Sequence, residues 1–474
     1  PDQSDLQNPG STVAKNVLPA ARGYRPFASL TEVSGAATAR LRGIYATKLN
    51  DGTVLTFAGD DDDLYKLNTT TFALDSINSG YAMTGDAYWR FVRFGDEVIA
   101  GGSDSDDLQG FTVGTDSAFA AISGAPAARE LAVVRDFVVT GNVTYGGNTY
   151  RSRVRWSAIN DATSWTIGTN QADFQDIPDA GQITGLVGGE FGVVLMERAI
   201  ARMQYVGSPL IFTFEKVETN HGCSYPNSVA SLGASQVFYL ADDGFFMFNG
   251  QKSIPIGAEK VDQFFFDDLD FDNSDRISCT IDPENQVVMW GYPSVNGTGD
   301  PDRIMVYNYA VQKWSVVELA HELLSSSLTP TFSLEALDSI SSTLEGLTTS
   351  LDSRFYSGGF FQLSAGKDKK IHTITGAPLE ATEFEPANMR QSLIRSVTPY
   401  VTTKGATAPT VTSQLASRTR QIDGYTYGSA VALNNDNTCP IRGSGRYHRV
   451  RVNVNGDWRY ALGVDVDASA MGRR

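Results

Sequence analysis

The sequence has few of the residues on which most catalytic and metal sites depend. Its 474 residues include only four histidines and three cysteines. No two histidines have the spacing of a metal site, and none lies near a pair of cysteines. Because the cysteines are odd in number and far apart, we expect reduced thiols and assembly in a cytoplasm, with one pair plus one free thiol as the alternative. These residues are His221, His321, His372, His448, Cys223, Cys279 and Cys439.

Long apolar runs and basic clusters are also scarce. No run approaches the ~20 residues of a membrane-spanning helix, and the opening residues PDQSDLQNPG lack the shape of a signal peptide, so we expect no export by the usual route. Charged residues make up 19% of the chain, and its net charge is -16. Since binding to phosphates needs clustered Lys and Arg, this composition argues against a surface that grips nucleic acid, whereas an acidic wall would let DNA slide past.

Glycine and aromatic residues are plentiful, with 45 Gly, 25 Phe and 19 Tyr, and this composition predicts a mostly β protein. Residues 303–319, RIMVYNYAVQKWSVVEL, read as two short strands joined by a turn. Tyr307 and Trp314 fall on the facing strands, and we interpret them as core packing rather than as a ligand cage.

This hairpin pattern recurs along the chain. Each copy has an apolar or aromatic strand, a polar or glycine turn and a second apolar run, and the central residues are spaced by roughly 43 to 60 residues, as in propeller blades with loop insertions. A four-stranded meander has two apolar faces and needs a neighbour on each side, which a closed ring supplies. The other copies begin at Leu64, Leu108, Val154, Ala201 and Phe245.

The predicted fold is therefore all-β, with a six- or seven-bladed β-propeller. We expect an N-terminal arm over residues 1–40, which is too polar to form its own core, and blades over 41–320, of which 303–319 is the last regular hairpin. Residues 321–379 are predicted to hold a Ser/Thr-rich insertion and a candidate last blade near 360–376. Residues 380–474 contain alternating strands separated by turns, but these strands lack the spacing of the blades. We therefore predict a small β-sandwich there.

Two groups of residues have a superficial likeness to reactive or metal sites. His221 and Cys223 adjoin each other in NHGCSYPN, but a turn residue beside a buried thiol is the favoured interpretation, because catalysis needs a third orienting group. The aspartate run at 60–63 has the hard oxygen ligands that Ca²⁺ prefers but lacks the interleaved Gly and Glu of a dedicated loop. We interpret it, and the Asp242–Asp243–Gly244 turn, as solvated blade turns.

The glycines and charged residues elsewhere in the chain do not identify a functional site either. Gly188, Gly189 and Gly192 are not followed by the Lys-Ser/Thr of a phosphate-binding loop. The pair Glu197 and Arg198 and the alternating arginines of RSRVR (151–155) are interpreted as exposed strand faces or subunit contacts. Propeller glycosidases use two or three carboxylates, but no spacing selects any here. We therefore predict no enzyme, and no catalytic, cofactor-binding or metal site.

Several longer segments resemble one known family. They are VRWSAINDATSW from Val154, VVLMERAIARMQYVGSP, DDGFFMFNGQKSIPIGAEKVDQFF from Asp242, DRISCTIDPENQVVMW and the terminal RYHRVRVNVNGDWRYALGVDVDASAMGRR. With YRPF in the arm and LDSRFYSGG after the insertion, they resemble the nozzle proteins, also called tail tubular or tail hub proteins, of short-tailed bacteriophages and related prophages. The resemblance covers essentially the whole chain, and its motifs are structural.

This resemblance implies a structural virion protein of the tail, assembled in the host bacterial cytoplasm. Its expected partners are further copies of itself in a ring, expected to be a hexamer, the portal-proximal adaptor proteins, and tail fibres or distal tail proteins. DNA would pass through the ring lumen during ejection without sequence-specific binding. A carbohydrate-binding or carbohydrate-degrading propeller of the tail is the alternative, and a host-derived propeller that serves as a protein-interaction platform is a third.

Overall fold

The structure is a computed structural model, and it describes residues 2, 11–85, 87–330, 358–378, 381–382, 391–405, 407–420 and 422–471. Most of the predicted Ser/Thr-rich insertion lies outside these residues. The N-terminal arm was expected to form no core of its own, and it contains three strands that join sheets built by distant parts of the chain. They are β1 (Val17–Ala20), β2 (Gly23–Pro26) and β3 (Ala28–Glu32).

Six consecutive four-stranded antiparallel sheets follow, each with the strand order of a propeller blade. Blade 1 comprises β4 (Gly43–Lys48), β5 (Val54–Gly59), β6 (Asp63–Leu67) and β7 (Leu74–Ser79). Blade 2 comprises β8 (Arg90–Phe94), β9 (Glu97–Gly101), β10 (Gln109–Thr112) and β11 (Ala120–Ala121). Blade 3 comprises β12 (Ala127–Val134), β13 (Phe137–Tyr145), β14 (Asn148–Trp156) and β15 (Asp173–Asp176).

Blades 4 to 6 repeat the same meander. Blade 4 comprises β16 (Ile183–Val187), β17 (Gly192–Met196), β18 (Ile200–Gly207) and β19 (Ile211–Glu218). Blade 5 comprises β20 (Ala230–Ser231), β21 (Val237–Leu240), β22 (Phe245–Phe248) and β23 (Ser253–Pro255). Blade 6 comprises β24 (Ser278–Asp282), β25 (Val287–Tyr292), β26 (Arg303–Asn308) and β27 (Lys313–Glu318). In the described part of the chain, the α-helix α1 (Asp262–Asp268) and the 3₁₀ helices Pro226–Ser228 and Phe271–Arg276 lie between strands.

A seventh blade closes the ring and combines the two ends of the propeller sequence. It comprises β28 (Leu323–Leu328), β29 (Phe361–Lys367), β30 (Lys370–Pro378) and, as its outermost strand, β3 from the arm. The arm strand pairs antiparallel with β30, with Leu30 opposite Ile374. The innermost strand β28 lies against β4 of blade 1 and β24 of blade 6. The propeller therefore has seven blades, and the hairpin at 303–319 belongs to the sixth.

Aromatic side chains fill the spaces between blades, as the repeat predicts. Tyr307 and Trp314 are cross-strand partners with ring centroids 4.6 Å apart, and Trp314 also lies 5.0 Å from Phe245 of blade 5. Such pairs contribute roughly 0.5–1.5 kcal/mol beyond their area burial. One predicted hairpin was wrong: after β14 the chain forms turns through 159–172, and its partner β15 begins only at Asp173.

The C-terminal region forms two packed sheets. The first contains β32 (Ser392–Thr403), β35 (Gly443–Gly445), β37 (Trp458–Ala470) and, from the arm, β1 and β2. The second contains β31 (Ala381–Thr382), β33 (Thr410–Arg418), β34 (Val431–Ala432) and β36 (Tyr447–Asn455). Their shared core includes Val17 from the arm and the fully buried Trp458.

Candidate functional site

A cavity of about 320 Å³ lies at the propeller axis, between the innermost strands of blades 1, 2, 5, 6 and 7. Its volume is at the lower end of the range for small-molecule sites. Arg42 lines it just before β4, Arg90 lines it at the start of β8, and Asn227 lines it in the 3₁₀ helix before blade 5. The aromatic residues Tyr88 and Trp89 complete this side of the wall.

The two cavity arginines are held by groups of the protein itself. Arg90 donates to the side chain of Asn227 at 2.8 Å and forms an ion pair with the buried Glu130 at 3.3 Å. Arg42 donates to two backbone carbonyls, those of Gly85 and Ala87. Burial lowers the pKa of the Arg42 guanidinium. The Arg90–Glu130 pair joins the innermost strands of blades 2 and 3, and the Arg42 bonds reach the segment that connects blades 1 and 2, so the arginines stabilise the ring at its axis.

Cys279 is the one thiol that lines this cavity. Burial raises its pKa well above the ordinary value for cysteine, and the thiol stays protonated and a poor nucleophile near neutral pH. Cys223 is fully buried outside the cavity, and burial raises its pKa to about 11. Neither thiol has the depressed pKa of a catalytic cysteine, and the three cysteines are free in the described part of the chain.

The aspartate run at 60–63 was expected to be a solvated turn, and for Asp60 this was wrong. Asp60 is fully buried, and its carboxylate accepts hydrogen bonds from the Thr38 hydroxyl and the Tyr65 hydroxyl, both at 2.8 Å. It also accepts backbone N–H groups of residues 39, 62 and 63. Burial alone would raise the pKa of Asp60, but these bonds outweigh it and hold that pKa below its usual range. The carboxylate is a structural anchor of blade 1.

The Asp242–Asp243–Gly244 turn packs against the helix α1. A Cβ at Gly244 would lie 2.4 Å from the Asp262 carboxylate, and the backbone there has φ +148°. Burial, opposed by a hydrogen bond from Phe245 N–H, raises the pKa of Asp262 to about 6. The glycine is therefore required by close packing and by backbone conformation, whereas Asp242 and Asp243 are exposed, as expected of a solvated turn.

His221 and Cys223 do not form a catalytic pair. The His221 ring stacks on Phe246 with centroids 4.5 Å apart, and its Nδ1 lies 3.4 Å from the Asp243 carboxylate. The Cys223 thiol instead donates to the carbonyl of Tyr225. The two side chains have separate partners, which agrees with a turn residue beside a buried thiol.

The glycines near 188 serve the contact between blades 3 and 4. A Cβ at Gly188 would lie 2.0 Å from the carbonyl oxygen of Val133, and Gly189 exchanges backbone hydrogen bonds with Val133 and Arg135. A side chain at Gly188 would push the two blades apart. This packing reason accounts for the glycine without a phosphate-binding loop.

The arginines of β14 differ in exposure. Arg153 forms a bidentate pair with Asp176 on the neighbouring strand, at 2.7 and 2.9 Å. Arg155 was predicted to be exposed, and that was wrong: it is only 2% exposed, lies 3.9 Å from the Tyr145 ring, and donates to the carbonyl of Trp165. Glu197 and Arg198 form the turn between β17 and β18.

The remaining histidines are buried. His321 packs on Gly291, and burial lowers its pKa to about 4. His448 lies between the hydroxyls of Ser392 and Ser417 at 3.0 and 2.8 Å. Among the described residues, no group of three or more His, Cys, Asp or Glu side chains is arranged to hold a metal ion.

The arm joins the propeller to the sandwich through an edge of blade 6. Asn16 and Ala14 exchange backbone hydrogen bonds with Val316 of β27, at 2.8 and 2.9 Å, and so extend the blade by a short parallel segment. The Asn308 side chain donates to the carbonyl of Pro19 at 2.9 Å. Since the same arm then enters the sandwich sheet and closes blade 7, its position fixes the two domains relative to each other.

Sequence reasoning missed the cavity arginines and Asn308. Arg42 and Arg90 lie just before or at the start of an innermost strand, and a single basic residue there gives no local signal. Asn308 was assigned only to a turn, where it does accept the N–H groups of residues 310 and 311. Its second bond, to the arm, joins residues that are distant in sequence.

No helix in the described ranges is long and apolar enough to cross a membrane.

No family model and no curated protein matches the chain. Among solved structures, it is similar to a chain of the mitotic checkpoint complex, with 10% identity, a TM-score of 0.42, and coverage of 75% of this chain and 94% of that one. It is also similar to the Pan2 WD40 domain of Neurospora crassa, with 8% identity, a TM-score of 0.39, and coverage of 75% of this chain and 96% of that one. A third similar structure is apo AztD from Citrobacter koseri, with 11% identity, a TM-score of 0.32, and coverage of 58% of this chain and 85% of that one. The fold assignment therefore rests on the seven blade sheets and the sandwich described above.

Proposed function

We propose that the chain is a structural subunit of a bacteriophage tail. In this proposal six copies form a ring, or nozzle, that connects the portal and adaptor to the distal tail, contacts fibres or distal tail proteins, and conducts DNA during ejection. The chain catalyses no bond chemistry. The resemblance of the segments quoted above to tail nozzle proteins is the observation that carries this proposal.

Two structural features support the proposal. A ring subunit must transmit force without letting its domains move apart, and the arm from Ala14 to Glu32 hydrogen-bonds to blade 6, the sandwich and blade 7 in turn. The propeller is also strongly acidic: residues 41–328 contain 38 Asp and Glu against 18 Lys and Arg. A lumen lined mainly by such a surface would bind DNA phosphates weakly and let the genome pass.

The test is to remove the chain from the particle. Particles assembled without it should have filled heads but lack the nozzle in electron micrographs, and supplying the intact chain should restore the nozzle and infectivity. Infectious particles with complete tails that contain none of this chain would refute the proposal. Shortening of host polysaccharide by the purified chain would instead favour the carbohydrate-degrading alternative.

A further inference from the structure

The cavity at the propeller axis differs in charge from the rest of the molecule. The chain has a net charge of -16, yet the described residues that line this cavity include two arginines and no Asp or Glu. Arg90 is neutralised by its ion pair with Glu130 at 3.3 Å. Arg42 forms no ion pair with a described residue, and its hydrogen bonds go to backbone carbonyls. One positive charge at the cavity is therefore uncompensated.

The protein uses only part of the Arg42 guanidinium. Its Nη1 donates to the carbonyls of Gly85 and Ala87, at 2.9 and 3.0 Å. Its Nε is buried without a hydrogen-bond partner among the described residues, and none of these residues accepts a bond from Nη2. Nη2 is therefore the donor that remains for a ligand. Guanidinium N–H groups form strong hydrogen bonds to carboxylate and phosphate oxygens.

The surroundings of Arg42 favour an anion beside it. Burial lowers the pKa of Arg42, the positive charge of Arg40 acts in the same direction, and the carboxylates of Asp61 and Asp275 oppose them only in part. Arg40 itself donates to the Tyr88 hydroxyl and to a backbone carbonyl, not to a carboxylate. A half-buried charge without an ion pair is costly. A bound anion would offset this cost.

Hydroxyl side chains from three blades line another part of the cavity. The Ser278 hydroxyl accepts the N–H of Leu324 at 2.9 Å and keeps its own proton to donate. The volume of about 320 Å³ exceeds the need of a single inorganic ion and lies at the lower end for organic ligands. The cavity therefore suits a small molecule that carries both an anionic group and hydroxyls. The lining hydroxyls belong to Ser231, Ser278, Thr280, Ser325 and Ser326.

We propose that the axial cavity binds a small hydroxylated organic anion. Its carboxylate or phosphate group accepts hydrogen bonds from Arg42, and its body lies against the hydroxyls of blades 5, 6 and 7. Because this ligand contacts several blades across the axis of the folded propeller, its binding stabilises the closed ring of blades. The inference does not depend on the proposed function, since the site lies within a single chain.

The test is calorimetric titration of the full chain with two anionic probes at constant ionic strength. Citrate supplies carboxylates and glycerol 3-phosphate supplies a phosphate, so the two probes distinguish the possible head groups, and neutral glycerol is the control ligand. At least one of the anions should bind at one site per chain, and glycerol should not bind. The bound anion should also raise the urea midpoint of the unaltered chain.

Variants of the chain locate the site. Arg42→Gln should weaken binding by about tenfold or more, because it removes a charge-assisted hydrogen bond. Arg42→Lys keeps the positive charge but not the planar donor edge, so it should lose less affinity. Arg22→Gln removes the same charge from an exposed turn outside the cavity and should bind like the unaltered chain. Urea unfolding of each variant checks that it is folded before titration.

Three outcomes would overturn the inference. The first is that neither anion binds the unaltered chain at millimolar concentration. The second is that folded Arg42→Lys and Arg42→Gln both bind the anion as tightly as Arg22→Gln, which would place the anion elsewhere. The third is that glycerol binds as tightly as glycerol 3-phosphate, which would show that the anionic group contributes nothing.

Discussion

Truncation of Phe27 tests whether the arm closes the propeller. Phe27 lies between β2 and β3, is 1% exposed, and packs on residues of blades 6 and 7, including Val306 and Leu324. Replacing a buried Phe with Ala removes its hydrophobic transfer energy and leaves a cavity, which together cost about 3–5 kcal/mol. We therefore expect Phe27→Ala to lower the free energy of unfolding of the propeller by about that amount.

Urea unfolding followed by tryptophan fluorescence measures this loss, because five of the six tryptophans lie in the propeller. Phe271→Ala is the matched control: Phe271 is 58% exposed, and its truncation should change stability by less than about 1 kcal/mol. Hydrogen exchange should also speed up at β30, which pairs with β3 around Ile374. A loss below about 1 kcal/mol for Phe27→Ala, or unchanged exchange in blade 7, would refute closure by the arm.

Three further predictions concern single buried sites. Asp60→Asn should cost about 1–3 kcal/mol of stability at neutral pH. Because the pKa of Asp60 is lowered in the fold, the contribution of its carboxylate to stability is present above the unfolded pKa and is lost as pH falls through the folded pKa. The stability difference between this variant and the unaltered chain should therefore be smaller in urea titrations near pH 3 than near pH 7. His321 has a pKa of about 4 in the fold, so as pH falls the unfolded chain binds a proton on this side chain before the folded chain does. Stability should therefore fall as pH drops from about 6.5 toward 4. His321→Gln should reduce this fall in the same urea titrations. Gly244→Ala should cost about 1–3 kcal/mol in thermal or urea unfolding, through its contact with Asp262 and its positive φ, and an unchanged midpoint would contradict this.

Local patterns were enough to predict the blades. Hairpins such as the one that pairs Tyr307 with Trp314 combine β-branched and aromatic strands with a turn of a few residues, so all the information lies within one short segment. The sandwich strands around residues 392–403 and 447–455 were predicted for the same reason. Repetition then indicated a ring, because no blade can bury both of its faces alone.

Contacts between distant segments were not predictable in this way. The closure of blade 7 pairs Leu30 with Ile374, and the sequence of neither segment indicates which distant strand it pairs with. The buried Asp60 carboxylate is bonded by Thr38, from the segment before blade 1, and by Tyr65 of β6. The run of four aspartates identifies neither partner, and it looked like a solvated turn. Arg155 looked exposed because strand alternation does not show that the Tyr145 ring covers it.

In the proposed function, this chain is a ring subunit of a phage tail. The most direct measurement is an electron cryo-microscopy reconstruction of the purified chain assembled with its adaptor complex. We expect a closed six-fold ring, in which each subunit shows a seven-bladed propeller joined to a sandwich by the N-terminal arm. Isolated monomers alone in the presence of the adaptor, or rings into which this chain does not fit, would contradict the proposed function.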